Sequence, residues 1–215
     1  MGAQSITNKV QFMTNGIKAA TSNSEAMKLL EKWGYTEERM AEGISLANNA
    51  QEYIAKQAKE YGEKHAASAN VDKEFKLYYG DYYTLVKVSR IALKGDAGIL
   101  VSIKATGARN RSITGWISNA KVFYGNLLAN SAALTKMERF GVSAQQLEKE
   151  LKQVEKFEKT YQQYLQETGE AQQSTKDRDQ AIDMLSNWYS DFRAMARIAF
   201  YQRPQLLEIL GIVVK

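Results

Sequence analysis

Apolar residues recur at steps of three and four through most of the chain, which is the spacing of one face of an α-helix. In the first half they form three successive stripes, within residues 10–30, 40–61 and 75–92. The middle stripe runs Met40, Ile44, Ala47, Gln51, Ile54, Ala58 and Tyr61. Its average spacing of about 3.5 residues favours near-parallel packing of helices. The pattern therefore predicts three long helices, followed by a short fourth element at residues 96–104.

Residues that break or cap helices predict where these elements end. We expect Gly62 and Gly169 to mark the end of the second helix in each half, because glycine weakens a helix interior. Asp72 should lie near the start of the third helix, where a negative charge suits the helix dipole. Residues 21–24 predict a break in the first helix, whereas residues 128–131 predict a more continuous one.

The chain carries an internal repeat with a step of 107 residues. Val-Ser-Arg-Ile-Ala-Leu at residues 88–93 returns as Met-Ala-Arg-Ile-Ala-Phe at residues 195–200. The same step joins residues 5–7 to 112–114, Gly34 to Gly141 and Tyr82 to Tyr189. Both glycines follow a stripe and suit the left-handed residue that ends a helix. We predict an all-α fold made by tandem duplication of a roughly four-helix bundle, with pseudo-twofold-related halves at residues 1–107 and 108–215.

Composition supports helices and excludes several classes of chemistry. One proline among 215 residues agrees with long helices, since proline interrupts them. The absence of cysteine excludes disulfides, zinc–thiolate sites and thiol catalysis. No apolar run reaches the roughly 18 residues of a membrane span, and the N-terminus lacks a basic region followed by an apolar core. We therefore expect a cytoplasmic protein without a membrane span.

Charge and histidine content argue against nucleic-acid binding and catalysis. The net charge of +5 comes from interleaved acidic and basic residues, whereas a nucleic-acid binder usually has a one-sided basic stripe. His65 is the only histidine, so a di-iron centre with two Glu-x-x-His motifs is excluded. Residues 177–188 resemble a calcium loop but have Ile182 at position six and Trp188 at position twelve, where glycine and glutamate are needed. We expect no enzyme activity, no metal and no cofactor.

The one unusual aromatic cluster is formed by Tyr78, Tyr79, Tyr82 and Tyr83. Because these tyrosines occupy two adjacent faces of a helix, the simplest interpretation is a bundle core with hydroxyls at its edge. The alternative is a pocket for an apolar small molecule, or a partner surface, since tyrosine is enriched at interfaces. Only Tyr82 has a tyrosine counterpart, so the halves can differ in what they bind.

Two matched arginines form the next candidate site. Arg90 and Arg197 each lie one position past the apolar stripe, where a partly covered guanidinium needs a carboxylate. We expect ion pairs that fix the register of the helices, with Glu31 and Glu138 as the favoured partners. The functional alternative is that both arginines face a shared groove and bind an anion together.

The joint between the predicted halves contains a basic stretch without acidic residues. Its candidate anion contacts are Lys104, Arg109 and Arg111. They form either a weak binding site for anionic surfaces or a solvated linker.

These observations favour a non-catalytic helical interaction or scaffolding protein. We expect its partner to be another protein or a second copy of itself. The alternatives are a bundle that holds an apolar small molecule near the tyrosine cluster, and a binder of anionic surfaces.

Overall fold

The computed structural model describes residues 3–107 and 110–212, and within these ranges it contains helices and no strand. The all-α prediction is confirmed. The elements are α1 (Ala3–Ser22), α2 (Ser24–Glu31), α3 (Glu37–Ala92), α4 (Ala97–Ser102), α5 (Ile113–Leu128), α6 (Ser131–Glu138), α7 (Ala144–Ala199) and a C-terminal 3-10 helix (Pro204–Leu210). No helix in the described part of the chain is long and apolar enough to cross a membrane.

Asparagine caps separate the short helices from those before them. The Asn23 side chain accepts hydrogen bonds from the backbone N–H groups of Glu25 and Ala26, which starts α2. The Asn130 side chain accepts from the N–H of Ala133, which starts α6. Satisfying these otherwise unpaired donors stabilises a helix start by about 1 kcal/mol. The expectation of a continuous helix through residues 128–131 is therefore wrong, because an asparagine cap competes with the helix there as it does at Asn23.

Glycines in the left-handed conformation terminate α2 and α6, as the sequence predicts. Gly34 has φ +82° and Gly141 has φ +78°. The next helix starts two residues later, where the Thr36 hydroxyl accepts from the N–H of Arg39 at 3.4 Å. Ser143 caps α7 in the same way, accepting from the N–H of Gln146 at 3.2 Å.

The two longest helices, α3 and α7, each contain 56 residues, or about 84 Å of helix. The prediction that Gly62 and Gly169 end a helix is wrong, and Asp72 does not lie at a helix start, since all three positions are interior. Gly62 is exposed, and neither glycine has a neighbouring side chain within 4 Å of where a Cβ would stand. A single glycine costs a helix about 1 kcal/mol, which the strong helix formers around it offset.

The chain divides into two compact units. The first unit comprises Met1–Gly62 and Gly169–Lys215, and the second comprises Glu63–Thr168. Each long helix therefore contributes residues to both units, and the predicted boundary at residue 107 lies inside the second unit. The largest fully buried side chains of the first unit are Tyr35, Phe192, Phe200, Ile17, Leu30 and Met40; those of the second are Trp116, Tyr124, Phe123, Phe157, Leu93 and Ile103.

Candidate functional sites

The predicted tyrosine cluster lies in the core of the second unit. Tyr82 is buried, and its ring contacts Phe123 at 5.3 Å and Tyr124 at 6.1 Å between centroids. Edge-on ring contacts of this kind stabilise a core by more than the burial of their apolar area alone would. Burial, followed by the neighbouring Tyr83, raises the pKa of Tyr82, while Arg90 acts in the opposite direction. The hydroxyl therefore stays protonated at neutral pH.

The other three tyrosines are partly buried and pack against the same core. Tyr79 and Tyr83 lie 4.6 Å apart between ring centroids, and Tyr78 contacts Phe157 edge-on at 6.0 Å. The cluster thus continues the aromatic core, an arrangement that agrees with the simpler of its two interpretations. A ligand at this cluster stays a prediction.

A partly buried carboxylate lies near these tyrosines in the second unit. Burial raises the pKa of Glu150, the nearby Asp81 raises it further, and Lys149 lowers it. The same carboxylate contributes, after burial, to the raised pKa of Tyr124. The sequence pattern does not reveal Glu150, because a glutamate among charged residues on a helix is ordinarily solvated.

The two matched arginines have different surroundings. Arg90 is exposed, and its Nε donates a hydrogen bond to the backbone carbonyl of Ala105 in the second unit. Arg197 lines a cavity of the first unit. Glu31 and Glu138 are the exposed last residues of α2 and α6. Pairing of the arginines with these carboxylates stays a prediction.

The predicted anion contacts surround the joint between α4 and α5. Lys104 is exposed in the turn after α4 and has a positive φ of 49°. Arg111 is exposed just before α5. Arg109 lies outside the described residues, so the prediction that these three cations act together is not tested.

A cavity of about 380 Å³ lies between α1 and α7 in the first unit. The described residues that line it are Lys9, Phe12, Met13, Ser186, Tyr189, Ser190, Arg193 and Arg197. Three of these side chains are cationic and none is acidic. We call this site the cationic cavity.

One polar atom of the cationic cavity lacks a partner. The Nε of Arg193 is buried and has no hydrogen-bond acceptor among the described residues. The Tyr189 hydroxyl donates to the carbonyl of Leu210 at 3.4 Å, and the Phe12 ring meets the Tyr189 ring edge-on at 6.1 Å. Burial raises the pKa of Tyr189 while Arg193 lowers it, so the wall of the cavity is a neutral phenol beside a fixed cation.

The second unit has a larger cavity of different character. It measures about 510 Å³ and is lined by residues of α5 and α7, among them Ile117, Tyr161 and Leu165. Its one lysine, Lys121, forms an ion pair with Glu158 at 2.7 Å. The charge of this second cavity is thus already balanced, unlike that of the cationic cavity.

Two solvent-facing helix stripes carry exposed apolar side chains. On α3, Leu77 and Ile91 are 60% and 62% exposed, and on α7 Met184 and Ile198 are 49% and 51% exposed. The basic stripe of α3 consists of the exposed residues Lys73, Lys76, Leu77, Gly80, Thr84, Lys87 and Ile91. The acidic stripe of α7 consists of the exposed residues Gln180, Asp183, Met184, Asn187, Asp191, Ala194 and Ile198.

Sequence reasoning missed both the cationic cavity and the stripes. The cavity joins Lys9 to Arg193 across 184 positions of sequence, and no local pattern indicates that α1 and α7 are neighbours. The stripes were detectable in principle, since residues 77, 84 and 91 recur every seven positions opposite the core face. No protein-family model matches this chain, and comparison with curated proteins and with solved structures finds no match either.

Proposed function

We propose that this chain is a non-catalytic interaction protein, built by internal duplication, that associates with further copies of itself. The basic stripe of one chain packs against the acidic stripe of another. One observation carries the proposal. Both solvent-facing stripes have exposed apolar residues at corresponding positions, and the charged residues of one stripe are basic whereas those of the other are acidic.

The apolar positions of the two stripes correspond under the 107-residue step. Leu77 corresponds to Met184, and Ile91 corresponds to Ile198. All four side chains are large and about half exposed or more. Because exposed apolar side chains are favourable to bury, retaining them at the same two positions of both halves points to a contact surface.

The charged positions of the stripes are opposite in sign. The basic stripe has Lys73, Lys76 and Lys87 and no acid, and the acidic stripe has Asp183 and Asp191 and no base. Two basic stripes repel each other, and so do two acidic ones. Complementary charge at an interface selects partner and orientation, so it favours a contact between unlike stripes.

Several features support the duplication. The bounds of α2 and α6, and those of α3 and α7, differ by 107 residues at both ends. Asn23 and Asn130, which cap α2 and α6, are separated by the same step. Gln51 donates a hydrogen bond to Thr14, and at the corresponding positions Lys121 donates to Glu158. One interhelical polar contact thus recurs with different chemistry.

Contact between unlike stripes predicts an open assembly. Each chain offers one basic and one acidic stripe, so a head-to-tail contact leaves one of each unpaired and growth continues unless a ring closes. The basic stripe spans 19 residues, about 27 Å of helix. A face of this length and about 10 Å wide covers roughly 270 Å², which is small beside the roughly 800 Å² per partner of a standard interface. We therefore expect weak association, with Kd in the micromolar range or above.

Sedimentation equilibrium of the full chain at several concentrations tests the proposal. The average mass should rise with concentration beyond that of a dimer and fall as salt is added, because salt screens exposed charges. The double variant Lys76→Glu/Lys87→Glu and the double variant Asp183→Lys/Asp191→Lys should each remain monomeric. When mixed, they should associate, since one then carries two acidic stripes and the other two basic stripes.

A matched control separates stripe contact from the effect of net charge. Lys152→Glu/Lys156→Glu changes exposed residues of α7 outside both stripes by the same charge, and this variant should associate like the unaltered chain. A chain that stays monomeric at the highest concentration in low salt would refute the proposal. The proposal would also be refuted if both stripe variants still associated like the unaltered chain.

A further inference from the structure

We infer that the cationic cavity of the first unit binds a small organic anion that has a flat apolar body, such as an aryl phosphate or aryl carboxylate. This inference is independent of self-association, because none of the residues that line the cavity belongs to either stripe. Its volume of about 380 Å³ falls within the range of pockets that hold small molecules.

The charge of the cavity favours an anion. Lys9, Arg193 and Arg197 converge on it, and none of the three forms an ion pair with a described residue. Three cations around one cavity repel one another, and a bound anion removes that repulsion. Guanidinium groups hold phosphate and carboxylate oxygens through paired N–H donors.

The buried Nε of Arg193 indicates where an oxygen of the anion would lie. Most buried donors in folded proteins have an acceptor, and this one has none among the described residues. The neighbouring Ser190 is exposed and carries a hydroxyl that can donate to the same anion. Ser186 donates its proton to the carbonyl of Ile182 at 2.7 Å, so its oxygen offers only acceptor lone pairs.

The apolar part of the ligand follows from the remaining lining residues. Phe12, Met13 and Tyr189 form the apolar part of the lining. Phe12 is 42% exposed, so a ligand can cover part of its ring. An aromatic or other flat group placed there would bury apolar area on both partners.

The corresponding positions of the second unit show that this space can be filled by protein. Under the 107-residue step, Lys9 corresponds to Trp116, Ser186 to Tyr79, Ser190 to Tyr83 and Arg193 to Val86. Trp116 is fully buried there, and the two tyrosines are partly buried against the same core. At three of these four positions the second unit thus has a large aromatic residue where the first has lysine or serine, and a flat aromatic ligand would occupy the space that those rings fill.

Titration of the full chain with phenyl phosphate tests the inference. The concentration should reach about 20 mM, several times the low-millimolar Kd expected for a ligand of this size. Saturable binding should shift the Nε–H resonance of Arg193 in ¹H–¹⁵N spectra, with the peak assigned by its loss in Arg193→Gln. Inorganic phosphate, which lacks the ring, and phenol, which lacks the charge, should each bind at least tenfold more weakly.

Four variants locate the binding site. Arg193→Gln should weaken phenyl phosphate binding about tenfold or more, as expected for a charged hydrogen bond. Lys9→Gln alters an exposed side chain and should weaken binding without affecting the fold. Ser190→Tyr introduces the residue of the second unit and should block the cavity. Arg90→Gln, at the position that corresponds to Arg197, is the matched control and should bind like the unaltered chain.

Three results would overturn the inference. The first is absence of saturable binding over the whole titration. The second is equal affinity for inorganic phosphate and phenyl phosphate, which would leave an adventitious ion only. The third is a loss of binding in Arg90→Gln as large as in Lys9→Gln, which would mean that general charge attraction explains the result.

Discussion

Replacing Gly43 by alanine should destabilise the protein, although alanine is the better helix former. Gly43 lies in the buried part of α3, and a Cβ built on it would stand 2.3 Å from Cη2 of Trp188 and 2.6 Å from two further ring atoms. The indole cannot move aside easily, because it stacks on Phe192 at 5.4 Å and meets Tyr35 edge-on at 5.8 Å. The added methyl group must therefore displace either α3 or three packed rings.

The expected magnitude is the difference between two opposing effects. Overpacking of a well-filled core costs about 1–3 kcal/mol, and a contact of 2.3 Å with a held ring argues for the upper half of that range. Replacing glycine by alanine inside a helix stabilises it by about 0.8–1 kcal/mol. The net change for Gly43→Ala is therefore a loss of about 1–2 kcal/mol.

Gly62→Ala is the matched control on the same helix. Gly62 is exposed and has no neighbouring side chain within 4 Å of where its Cβ would stand, so this substitution should stabilise the protein by the full 0.8–1 kcal/mol or so. Thermal unfolding followed by circular dichroism at 222 nm should separate the two variants by about 4–12 °C, since 1 kcal/mol shifts the Tm of a chain of this size by about 2–4 °C.

A second substitution tests whether the indole is the cause. In a Trp188→Leu background the clash is absent, so Gly43→Ala should stabilise that variant much as Gly62→Ala stabilises the unaltered chain. The reasoning would be refuted if Gly43→Ala alone raised the Tm to the same extent as Gly62→Ala. It would also fail if the loss persisted in the Trp188→Leu background.

Two further predictions follow from the units. Burial and Asp81 raise the pKa of Glu150 in the folded state, so its stabilising contribution is present below its ordinary pKa and is lost as pH rises through the raised value. Glu150→Gln should therefore raise the Tm at pH 7 by more than it does at pH 4, and an equal gain at both pH values would contradict this. Residues 1–107 alone lack the parts of α5, α6 and α7 that complete both units, and they should self-associate in light scattering; a stable monodisperse monomer would show that this half folds independently.

Local features of the sequence were enough to predict the helices and several of their ends. Helical periodicity, the left-handed glycines at positions 34 and 141 and the caps at Thr36 and Ser143 all depend on residues a few positions apart. The predictions that relied on Gly62 and Gly169 failed because a glycine only weakens a helix. Whether a helix continues through a glycine depends on the residues beside that glycine in the sequence and on how the helix packs.

The pairing of helices could not be predicted from the repeat. Apolar spacing identifies the side of a helix that is buried, but not which helix covers it. The repeat therefore predicts two copies, at 1–107 and 108–215, without indicating whether they share one core. Continuity through Gly62 and Gly169 carries each long helix from one unit into the other. The cationic cavity, which needs α1 beside the end of α7, could not be predicted for the same reason.

Positions at which the two units differ indicate function in a way that the helix caps and terminating glycines they share do not. Asn23 and Asn130, like Gly34 and Gly141, have the same role in both halves, and that role is to shape the chain. By contrast, the Gly43–Trp188 contact of the first unit corresponds to Glu150 and Asp81 in the second.

The two residues that contact each other in the first unit are both different in the second. A close-packed core accommodates a change at one position when its neighbour changes as well. The cationic cavity and the two stripes also differ between the units: Lys9, Ser186 and Ser190 of the cavity correspond to the aromatic residues Trp116, Tyr79 and Tyr83, and Lys76 of the basic stripe corresponds to Asp183 of the acidic stripe. Mutual repulsion of charges, an unpaired buried donor and exposed apolar side chains do not stabilise a fold by themselves. Residues of this kind are therefore the part of the sequence most directly explained by a ligand and a partner.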